Sequence, residues 1–452
     1  MSQNHLEASE LVNGYHKDKG KKKVTLKVDI AKVFDTLSWD FLLTCLDGLD
    51  LPPLFVGWLR ACVCTTNYTL GYNGTVNAYF KGRRGLRQGD SLSSYLFVIA
   101  MNCLSLMLNK MATDGYMEYH HNCRKIKLTH LSFADDLLIF IEGSIEYVQA
   151  VLQTLHEFEL RSGLAVSYQK TSFFASGLSE AEISAIQVST GMKCGTLPMK
   201  YIGVPLCAKK LTLANCEPLI QQVKACFSSW SAKALSFAGR LLLIKTVGKI
   251  EGHHSARVAW DRVTLIKEQG GLGVKDLLVW NRACSLKLVW LLFFRPSSVW
   301  FSYFKEIILK GNISNFWTIK TSSSYSWLVN KLIKTRNICY PLIKHRLGNG
   351  FSTSFWFDNW SPYGCLNVYL NGDVSRLGIR KTATLASLYS DGNWSLPPAR
   401  TEELLEVQIH LTTVTLSQEE DSYEWVINGK SRDKFSTGSV YAYLKGDVAT
   451  VA

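Results

Sequence analysis

Residues 131–140 read LSFADDLLIF, with two apolar runs on either side of the adjacent aspartates Asp135 and Asp136. Apolar runs that flank a short polar pair are typical of a β-hairpin, and aspartate is common in turns. This stretch alone leaves two interpretations open, a purely structural turn or a pair of carboxylates presented for chemistry. A third carboxylate on a neighbouring strand, together with a surface suited to a polyanion, would favour the chemical interpretation.

A strand that carries such a carboxylate lies near the start of the chain. Residues 24–30, VTLKVDI, alternate apolar and polar side chains, which predicts a half-buried strand with Asp29 on its polar side. A helix with Ser38 as its N-cap is expected next. Further on, Asn73-Gly74 interrupts an alternating stretch and predicts a tight hairpin turn.

The remaining pattern alternates between helices and strands. A basic, glycine-rich loop at 82–93 precedes an apolar helix, and the hairpin at 129–140 precedes a helix from about residue 145 to 160. A strand is expected around 164–174, followed by a turn-rich stretch at 197–206. Interleaved elements with several hairpins predict an antiparallel α+β layer rather than a doubly wound parallel sheet.

Composition restricts the class of protein. Lys and Arg outnumber Asp and Glu 50 to 37, and the net charge of +13 favours polyanionic partners such as nucleic acid. The longest apolar run, from Leu96, contains Asn102 and Ser105, so we expect no membrane span. No secretion signal is recognised at the N-terminus, which predicts a protein of the nucleus or cytoplasm that is not secreted. The 12 cysteines show no zinc-site spacing.

The three aspartates suit one kind of chemistry in particular. Nucleotidyl transfer uses two divalent cations about 3.5–4 Å apart, and Mg²⁺ prefers oxygen ligands. Carboxylates on two neighbouring strands can supply those ligands. Asp29, Asp135 and Asp136 are therefore candidate catalytic and metal-binding residues.

Five stretches in this order resemble the reverse transcriptase palm of plant LINE-type non-LTR retrotransposons. They are KVDIAKVFDTLSWDFL, GLRQGDSLSSYLF, LSFADDLLIF, SGLAVSYQKTSFF and LPMKYIGVPL. Three later stretches, EQGGLGVKDLLVWNRA, FWFDNW and WVINGKSRDKFSTGSVY, resemble the region that these elements carry after the polymerase. The resemblance implies an RNA-directed DNA polymerase with a right-hand palm. Its cofactor would be Mg²⁺, or Mn²⁺, and its partners a template RNA, a DNA primer and deoxynucleotide triphosphates, with the oligomeric state left open.

By the same resemblance, Asp29 and Asp135 are the principal metal ligands and Asp136 is the flanking acid. Phe34 resembles the aromatic gate beneath the sugar of the incoming nucleotide, although a core phenylalanine would look the same in sequence. Lys170 resembles the lysine placed near the pyrophosphate, where a cation offsets negative charge.

Two further segments are similar to substrate-contacting parts of the family. Gln88 and Gly89 would lie against the incoming nucleotide, and Arg87 would contact the template or primer. Residues 201–206, YIGVPL, resemble the hairpin that grips the primer end, with Tyr201 and Gly203 as contact residues.

The resemblance also implies a domain organisation. We expect residues 1–23 to form an N-terminal helix and a basic loop left from the fingers, and residues 24–210 to form the palm. Residues 211–250 would be a partial thumb. Residues 251–452 would be a tryptophan-rich C-terminal region that stops before any zinc-binding cluster. A soft boundary near residue 250 agrees with the tryptophans, ten of whose 13 positions follow it.

Departures from the family pattern keep a rival interpretation open. Ser91 and Ser94 stand where the loop usually has prolines, and most of the fingers and part of the thumb are expected to be missing. The rival is a non-catalytic nucleic-acid-binding remnant of a retroelement. A maturase-like RNA-binding protein is a third interpretation, against which the FWFDNW stretch argues.

Overall fold

The computed structural model describes residues 3–17, 20–229, 264, 273–371 and 378–446. The chain divides into two compact units, Met1–Leu219 and Ile220–Ala452. The finer division into fingers remnant, palm, thumb and C-terminal region stays a prediction. Residues 230–250 of the expected thumb lie outside the described residues.

The first unit alternates helices and strands, as the sequence pattern predicts. Its helices are α1 Gln3–Leu11, α2 Val33–Thr36, α3 Trp39–Asp47, α4 Pro53–Cys64, α5 Ser91–Thr113, α6 Ile145–Ser162 and α7 Glu180–Thr190. Its strands are β1 Lys23–Asp29, β2 Asn67–Tyr72, β3 Thr75–Lys81, β4 His130–Phe133, β5 Asp136–Glu142, β6 Ser172–Ser176, β7 Lys193–Cys194, β8 Met199–Tyr201 and β9 Val204–Leu206. Helix α8, Leu213–Ser229, begins in this unit.

A five-stranded sheet in the order β4-β5-β1-β6-β7 forms the centre of this unit. Strand β1 pairs antiparallel with both β5 and β6, while β6 pairs parallel with β7. The mixed, mainly antiparallel arrangement confirms the α+β prediction. Strand β1 lies in the middle and is paired along both of its edges, and Val24, Leu26 and Val28, which share one face, are fully buried.

Local sequence signals account for several elements. The Ser38 hydroxyl accepts the Phe41 N–H at 3.3 Å and caps α3, which confirms the predicted N-cap. Asn73 and Gly74 have φ values of 49° and 75° and form the two-residue turn between β2 and β3. This ribbon is exposed on both faces, and Tyr72 and Tyr79 keep more than 70% of their surface accessible.

The prediction of a strand around residues 164–174 is wrong for the first part of that range. Strand β6 covers only Ser172–Ser176, and residues 163–171 form a loop and a turn. The apolar residues Leu164 and Val166 are buried, so the loop fills part of the core without joining a ladder beyond one isolated bridge from Val166 to Ile30.

Helix α5 is longer than its apolar run suggests. It extends over 23 residues. By length and composition alone, this helix would be able to cross a bilayer, and so would the helix Leu277–Phe294. In the structure, the buried residues Leu96, Ala100 and Leu104 of α5 belong to the core of the first unit. This packing is that of a core helix.

The second unit combines helices with small antiparallel sheets. Its described helices are α9 Leu277–Phe294, α10 Val299–Tyr303, α11 Trp327–Lys334, α12 Arg336–Cys339, α13 Leu366–Tyr369, α14 Glu402–Thr412 and α15 Thr437–Lys445. Its strands are β10 Ile343–Arg346, β11 Tyr389–Ser390, β12 Asn393–Trp394, β13 Ser422–Ile427 and β14 Lys430–Ser431. Strands β10, β13 and β14 form one sheet, and Trp300, Trp356 and Trp425 are fully buried.

A buried polar chain ties the N-terminal segment to the sheet of the first unit. The Tyr15 hydroxyl lies 2.7 Å from Thr25 Oγ1 and 2.9 Å from His120 Nε2. His120 Nδ1 accepts the Asn122 N–H at 3.2 Å, so the neutral ring carries its proton on Nε2 and donates it to Tyr15. Burial lowers the pKa of His120 to about 3, and the nearby charge of Lys23 adds to this effect.

We predict that acid destabilises the first unit through its buried histidines. Burial also lowers the pKa of His130, to about 4. Between the unfolded value near 6.5 and these folded values, only the unfolded chain takes up the protons, so stability falls as pH falls. Each histidine can contribute at most about 1.4 kcal/mol per pH unit. Urea unfolding at a series of pH values measures the slope. It should become shallower in His120→Gln and persist in the control His156→Gln, at an exposed position; equal slopes in all three chains would contradict the prediction.

Candidate active site

The two strands at the centre of the sheet bring two of the predicted aspartates together. Asp29, the last residue of β1, is the direct cross-strand partner of Asp136, the first residue of β5. Direct partners in an antiparallel pair point to the same face, with Cβ atoms roughly 4.5–5.5 Å apart. Asp29 and Asp136 therefore lie side by side on one face of the sheet, at neighbouring strand ends, although they are far apart in sequence.

The third aspartate lies in the turn next to this pair. Ala134 and Asp135 connect β4 to β5, and Ala134 adopts a left-handed φ of 52°. Asp135 is exposed, whereas Asp136 is half-buried. Burial raises the pKa of Asp136, and the negative charges of Asp135 and Asp29 add to that increase. The Lys27 ammonium and the backbone N–H of Ile202 act in the opposite direction.

The donor set fits a hard divalent cation. Carboxylate oxygens are the ligands that Mg²⁺ and Mn²⁺ prefer, and an added positive charge would relieve the repulsion among the three aspartates. Within the described part of the chain, however, no three Asp, Glu, His or Cys side chains form a ready-made metal cluster. The expected convergence of all three aspartates on metal ions stays a prediction.

The loop before β6 surrounds Asp29. The backbone carbonyl of Asp29 accepts the Ser167 N–H at 2.8 Å, and its N–H donates to Thr171 Oγ1 at 3.3 Å. Between them, the Lys170 Nζ lies 3.9 Å from Asp29 Oδ1, with 74% of the lysine side chain exposed. The loop therefore holds a solvent-facing cation next to Asp29, and the role of Lys170 near a pyrophosphate stays a prediction.

The hairpin of β8 and β9 contacts the other acid of the pair. Its turn residues Ile202 and Gly203 have φ values of 49° and 76°, and the Ile202 N–H is hydrogen-bonded to Asp136. The Lys27 ammonium donates to the Lys200 carbonyl at 2.8 Å and so ties β1 to the same hairpin. Tyr201 is fully buried, so contact with a primer would fall to the turn residues rather than to its ring.

Phe34 lies in the short helix that follows β1. It is half-buried and packs on Phe97 of α5, with ring centroids 5.5 Å apart. Its carbonyl accepts the Leu86 N–H at 2.6 Å, and the Gly85 N–H bonds to Leu37. A Cβ at Gly85, whose φ is 85°, would lie 2.7 Å from the Phe34 carbonyl oxygen, so this close approach requires glycine.

The glycine-rich loop is thereby fixed at one end and open at the other. Arg87, Gln88 and Gly89 are exposed, and no atom lies within 4 Å of a Cβ built on Gly89, whose φ is 89°. Asp90 accepts the Leu92 N–H at 3.2 Å and caps α5. The structure therefore presents the residues predicted to bind nucleotide and template on an accessible loop, and their ligands stay a prediction.

A basic cleft of about 430 Å³ lies beside this loop. Arg60, Arg83 and Arg84 line it together with Trp39 and Asp40. None of the three arginines forms an ion pair with any residue that the structure describes. Guanidinium groups that are not held in ion pairs are suited to phosphate.

Sequence reasoning missed two groups that act on the aspartates. Lys27 lies two residues before Asp29 and shares its face of β1, so the strand alternation already contains this signal. The Ile202 N–H has no such signal, because any residue except proline carries the same donor. Its role follows only from the position of the hairpin.

Comparisons with known proteins show what the first unit is similar to. Residues 2–206 match the family of reverse transcriptases, described as RNA-dependent DNA polymerases. A 149 kDa protein of transposon TX1 from Xenopus laevis is 25% identical over 226 residues, or 48% of this chain and 16% of that protein. A retrovirus-related Pol polyprotein from the type-1 retrotransposable element R2 of Popillia japonica is 27% identical over 186 residues, or 41% of this chain and 29% of that protein.

A putative ribonuclease H protein from Arabidopsis thaliana is 26% identical over 190 residues, which cover 35% of this chain and 31% of that protein. The chain thus spans less than a third of the length of these relatives. Among solved structures, telomerases from Candida albicans and Candida tropicalis each match with a TM-score of 0.33 and 15% identity. They cover 45% and 46% of this chain, and the matches extend over 32% and 39% of those chains.

We predict that divalent metal stabilises the first unit through Asp136. Mg²⁺ at about ten times its Kd should add about 1.4 kcal/mol to the free energy of unfolding. Asp136→Asn should lose part of this gain, because the flanking acid of the cluster is removed, yet it should be more stable than the wild type without metal, because a partly buried, repelled charge is removed. Thermal unfolding with and without MgCl₂ measures both effects. Asp47→Asn, at an exposed position on α3, is the matched control; an undiminished metal effect in Asp136→Asn would contradict the assignment.

Proposed function

We propose that the reverse transcriptase domain of residues 2–206, which is similar to those of non-LTR retrotransposon proteins, extends a DNA primer by copying an RNA template. The observation that carries this proposal is the register of β1 and β5. It sets Asp29 opposite Asp136 and places Asp135 in the adjoining turn. Three carboxylates at neighbouring strand ends are costly unless they bind a ligand, since each like charge raises the energy of the others.

Reverse transcriptases use divalent metal ions. In this chain Asp29 and Asp135 would be the principal ligands of Mg²⁺ or Mn²⁺, with Asp136 completing the cluster. When bound, the metal ions would activate the primer hydroxyl and stabilise charge on the departing pyrophosphate. The hydrogen bond from the Ile202 N–H would keep Asp136 oriented toward the site.

Two side chains near Asp29 suit an incoming deoxynucleotide triphosphate. The exposed Lys170 ammonium would offset negative charge at the pyrophosphate, because it extends from the loop that wraps around Asp29. Phe34, five residues after Asp29 and fixed by its packing on Phe97, would close the space beside the sugar. Gln88 and Gly89 on the open loop would lie against the nucleotide.

The template and primer would be held by basic groups and by backbone. Arg87 on the open loop, with Arg60, Arg83 and Arg84 in the neighbouring cleft, would contact phosphates of the template strand. The turn at Ile202 and Gly203 would contact the primer end, where backbone can approach closely. Each such contact releases counterions, so binding should weaken as salt is added.

The element type belongs to the proposal as well. The five palm stretches and the tryptophan-rich region favour a plant LINE-type element, and one relative is a plant protein. The activity, substrates and partners of the longer relatives are proposed for this chain only as far as its first unit resembles them. The copied RNA would be that of the element itself.

A second candidate function is binding of nucleic acid without catalysis. It is favoured by the lack of a ready-made cluster of three acidic side chains among the described residues. Serines at 91 and 94, in place of the usual prolines, would also make the loop before α5 less rigid. Such a remnant would keep the basic surface and the salt dependence of binding but would not add nucleotides.

Primer extension on an RNA template with Mg²⁺ separates the two candidates. The polymerase proposal predicts elongation that falls by at least about 100-fold in Asp135→Asn, because one metal ligand is lost. Binding of the template–primer duplex, measured by fluorescence anisotropy, should change little in this variant. Salt-dependent binding with no elongation in the wild type would favour the remnant, whereas salt-independent binding would contradict both.

We further predict that Phe34→Val relaxes the selection against ribonucleotides. A smaller side chain opens space beside the sugar, and a contact of this size is worth about 10- to 200-fold in discrimination. The ratio of kcat/KM for deoxynucleotide over ribonucleotide measures the effect. The control is Phe41→Val, which shortens a similarly half-buried ring on α3. Unchanged discrimination in Phe34→Val would show that Phe34 serves only packing.

A further inference from the structure

The second unit contains a cleft for which the reverse transcriptase domain gives no role. Its volume is about 600 Å³, within the range of small-ligand sites. The residues used below are Lys305, Ser314, Phe351, Ser354, Phe357 and Lys381. The other lining residues are mainly Asn, Ser and Thr, which supply hydrogen-bonding groups beside the apolar surface of the walls.

The charged side chains that line this cleft are positive. Lys305 and Lys381 are its charged residues, and no Asp or Glu is among the described residues that line it. Neither lysine forms an ion pair with a residue in the described ranges. The Lys381 Nζ lies 6.0 Å from the Phe357 ring centroid, so cation and ring occupy the same wall. Two ammonium groups that have no ion pair within the described ranges favour an anion in this cleft.

The lip of the cleft carries an exposed aromatic ring on a fixed loop. Phe351 keeps 74% of its surface accessible. The Asp421 carboxylate accepts the N–H groups of Gly348, Gly350 and Ser352 at 2.8–3.0 Å, and also the Ser352 hydroxyl. Burial tends to raise the pKa of Asp421, but these hydrogen bonds lower it overall. Because the loop is braced on both sides of Phe351, the ring is held in solvent.

The floor of the cleft is also pre-organised. Asp358, which is buried, accepts the Ser314 hydroxyl at 2.9 Å and the Ser354 N–H at 2.6 Å. An isolated bridge between Ser354 and Thr384 joins this floor to the segment that carries Lys381. The two lysines and the ring therefore project from a scaffold that needs no rearrangement to bind a ligand.

We propose that this cleft binds single-stranded nucleic acid, with a base stacked on Phe351 and the adjoining phosphates on Lys305 and Lys381. An exposed aromatic ring beside cations is the combination that single-strand sites use, since every base has a face that can stack and every phosphate a charge. A duplex offers no free base to the ring. The site lies outside the residues of the reverse transcriptase match, so it does not depend on polymerase activity.

A measurement of total binding would not test this site, because the first unit is expected to bind nucleic acid too. Photo-crosslinking tests it, because it shows which residues contact the RNA. The full chain is irradiated with a short single-stranded RNA that contains 5-iodouridine, and the attached peptides are identified by mass spectrometry. A crosslink to the peptide containing Phe351 is expected. Phe351→Ala should reduce its yield at least about fivefold, while Phe351→Trp should retain it.

Lys305→Gln with Lys381→Gln should also weaken this crosslink and make it less sensitive to salt, by a slope of about 1.4 for two phosphates. Leu278→Ala, which shortens an exposed side chain of α9, and Lys344→Gln, at an exposed position on β10, are the controls. Crosslinks confined to residues 1–219 would overturn the proposal. Equal competition by polyglutamate and by poly(U) would overturn it as well, because the cleft would then select charge alone.

Discussion

The antiparallel register of β1 and β5 is the constraint on which the candidate site of the first unit depends. The antiparallel register sets Asp29 against Asp136, and the turn adds Asp135. This register is maintained by apolar burial further along the same strands, where Val28 pairs with Leu137 and Leu26 with Ile139, all of them buried. A slip by one residue would turn these side chains out of the core, so the core fixes the opposition of the charges.

The groups around the aspartates compensate this repulsion only in part. Lys27 and the Ile202 N–H act on Asp136, and Lys170 lies at the margin of ion-pair distance from Asp29 with most of its side chain in solvent. An exposed pair of this kind contributes little to stability. The pKa of Asp136 nevertheless stays raised, chiefly because its carboxyl group is partly buried and in second place because of the charges of Asp135 and Asp29. A site left short of positive charge by its own side chains is suited to receive cations.

Local signals in the sequence predicted the helices, strands and turns of this unit better than they predicted the contacts between them. Ser38 and Asn73-Gly74 act through their immediate neighbours, so the helix start and the hairpin turn could be inferred correctly. The pairing of Asp29 with Asp136 joins residues more than a hundred positions apart, and only the resemblance to a family pointed to it. The loop at 163–171 was mistaken for a strand because apolar residues that fill a core look alike in either conformation. Burial of Tyr201 and the hydrogen bond from Ile202 depend on where the hairpin packs, which no local pattern contains.

In the second unit, carboxylates accept hydrogen bonds that hold loops in place. Asp421 and Asp358 each accept several donors from loops, and neither lines the cleft that those loops form. Hydrogen bonds to a charged acceptor are stronger than neutral ones, so a single carboxylate can hold a loop that few apolar contacts support. Rigidity of this kind keeps Phe351 from folding back onto the protein surface, as an apolar ring otherwise would. Acidic residues thus lie at the surface of the candidate site in the first unit, where they suit a metal ion, and lie outside the cleft lining in the second, where lysines are the charged residues.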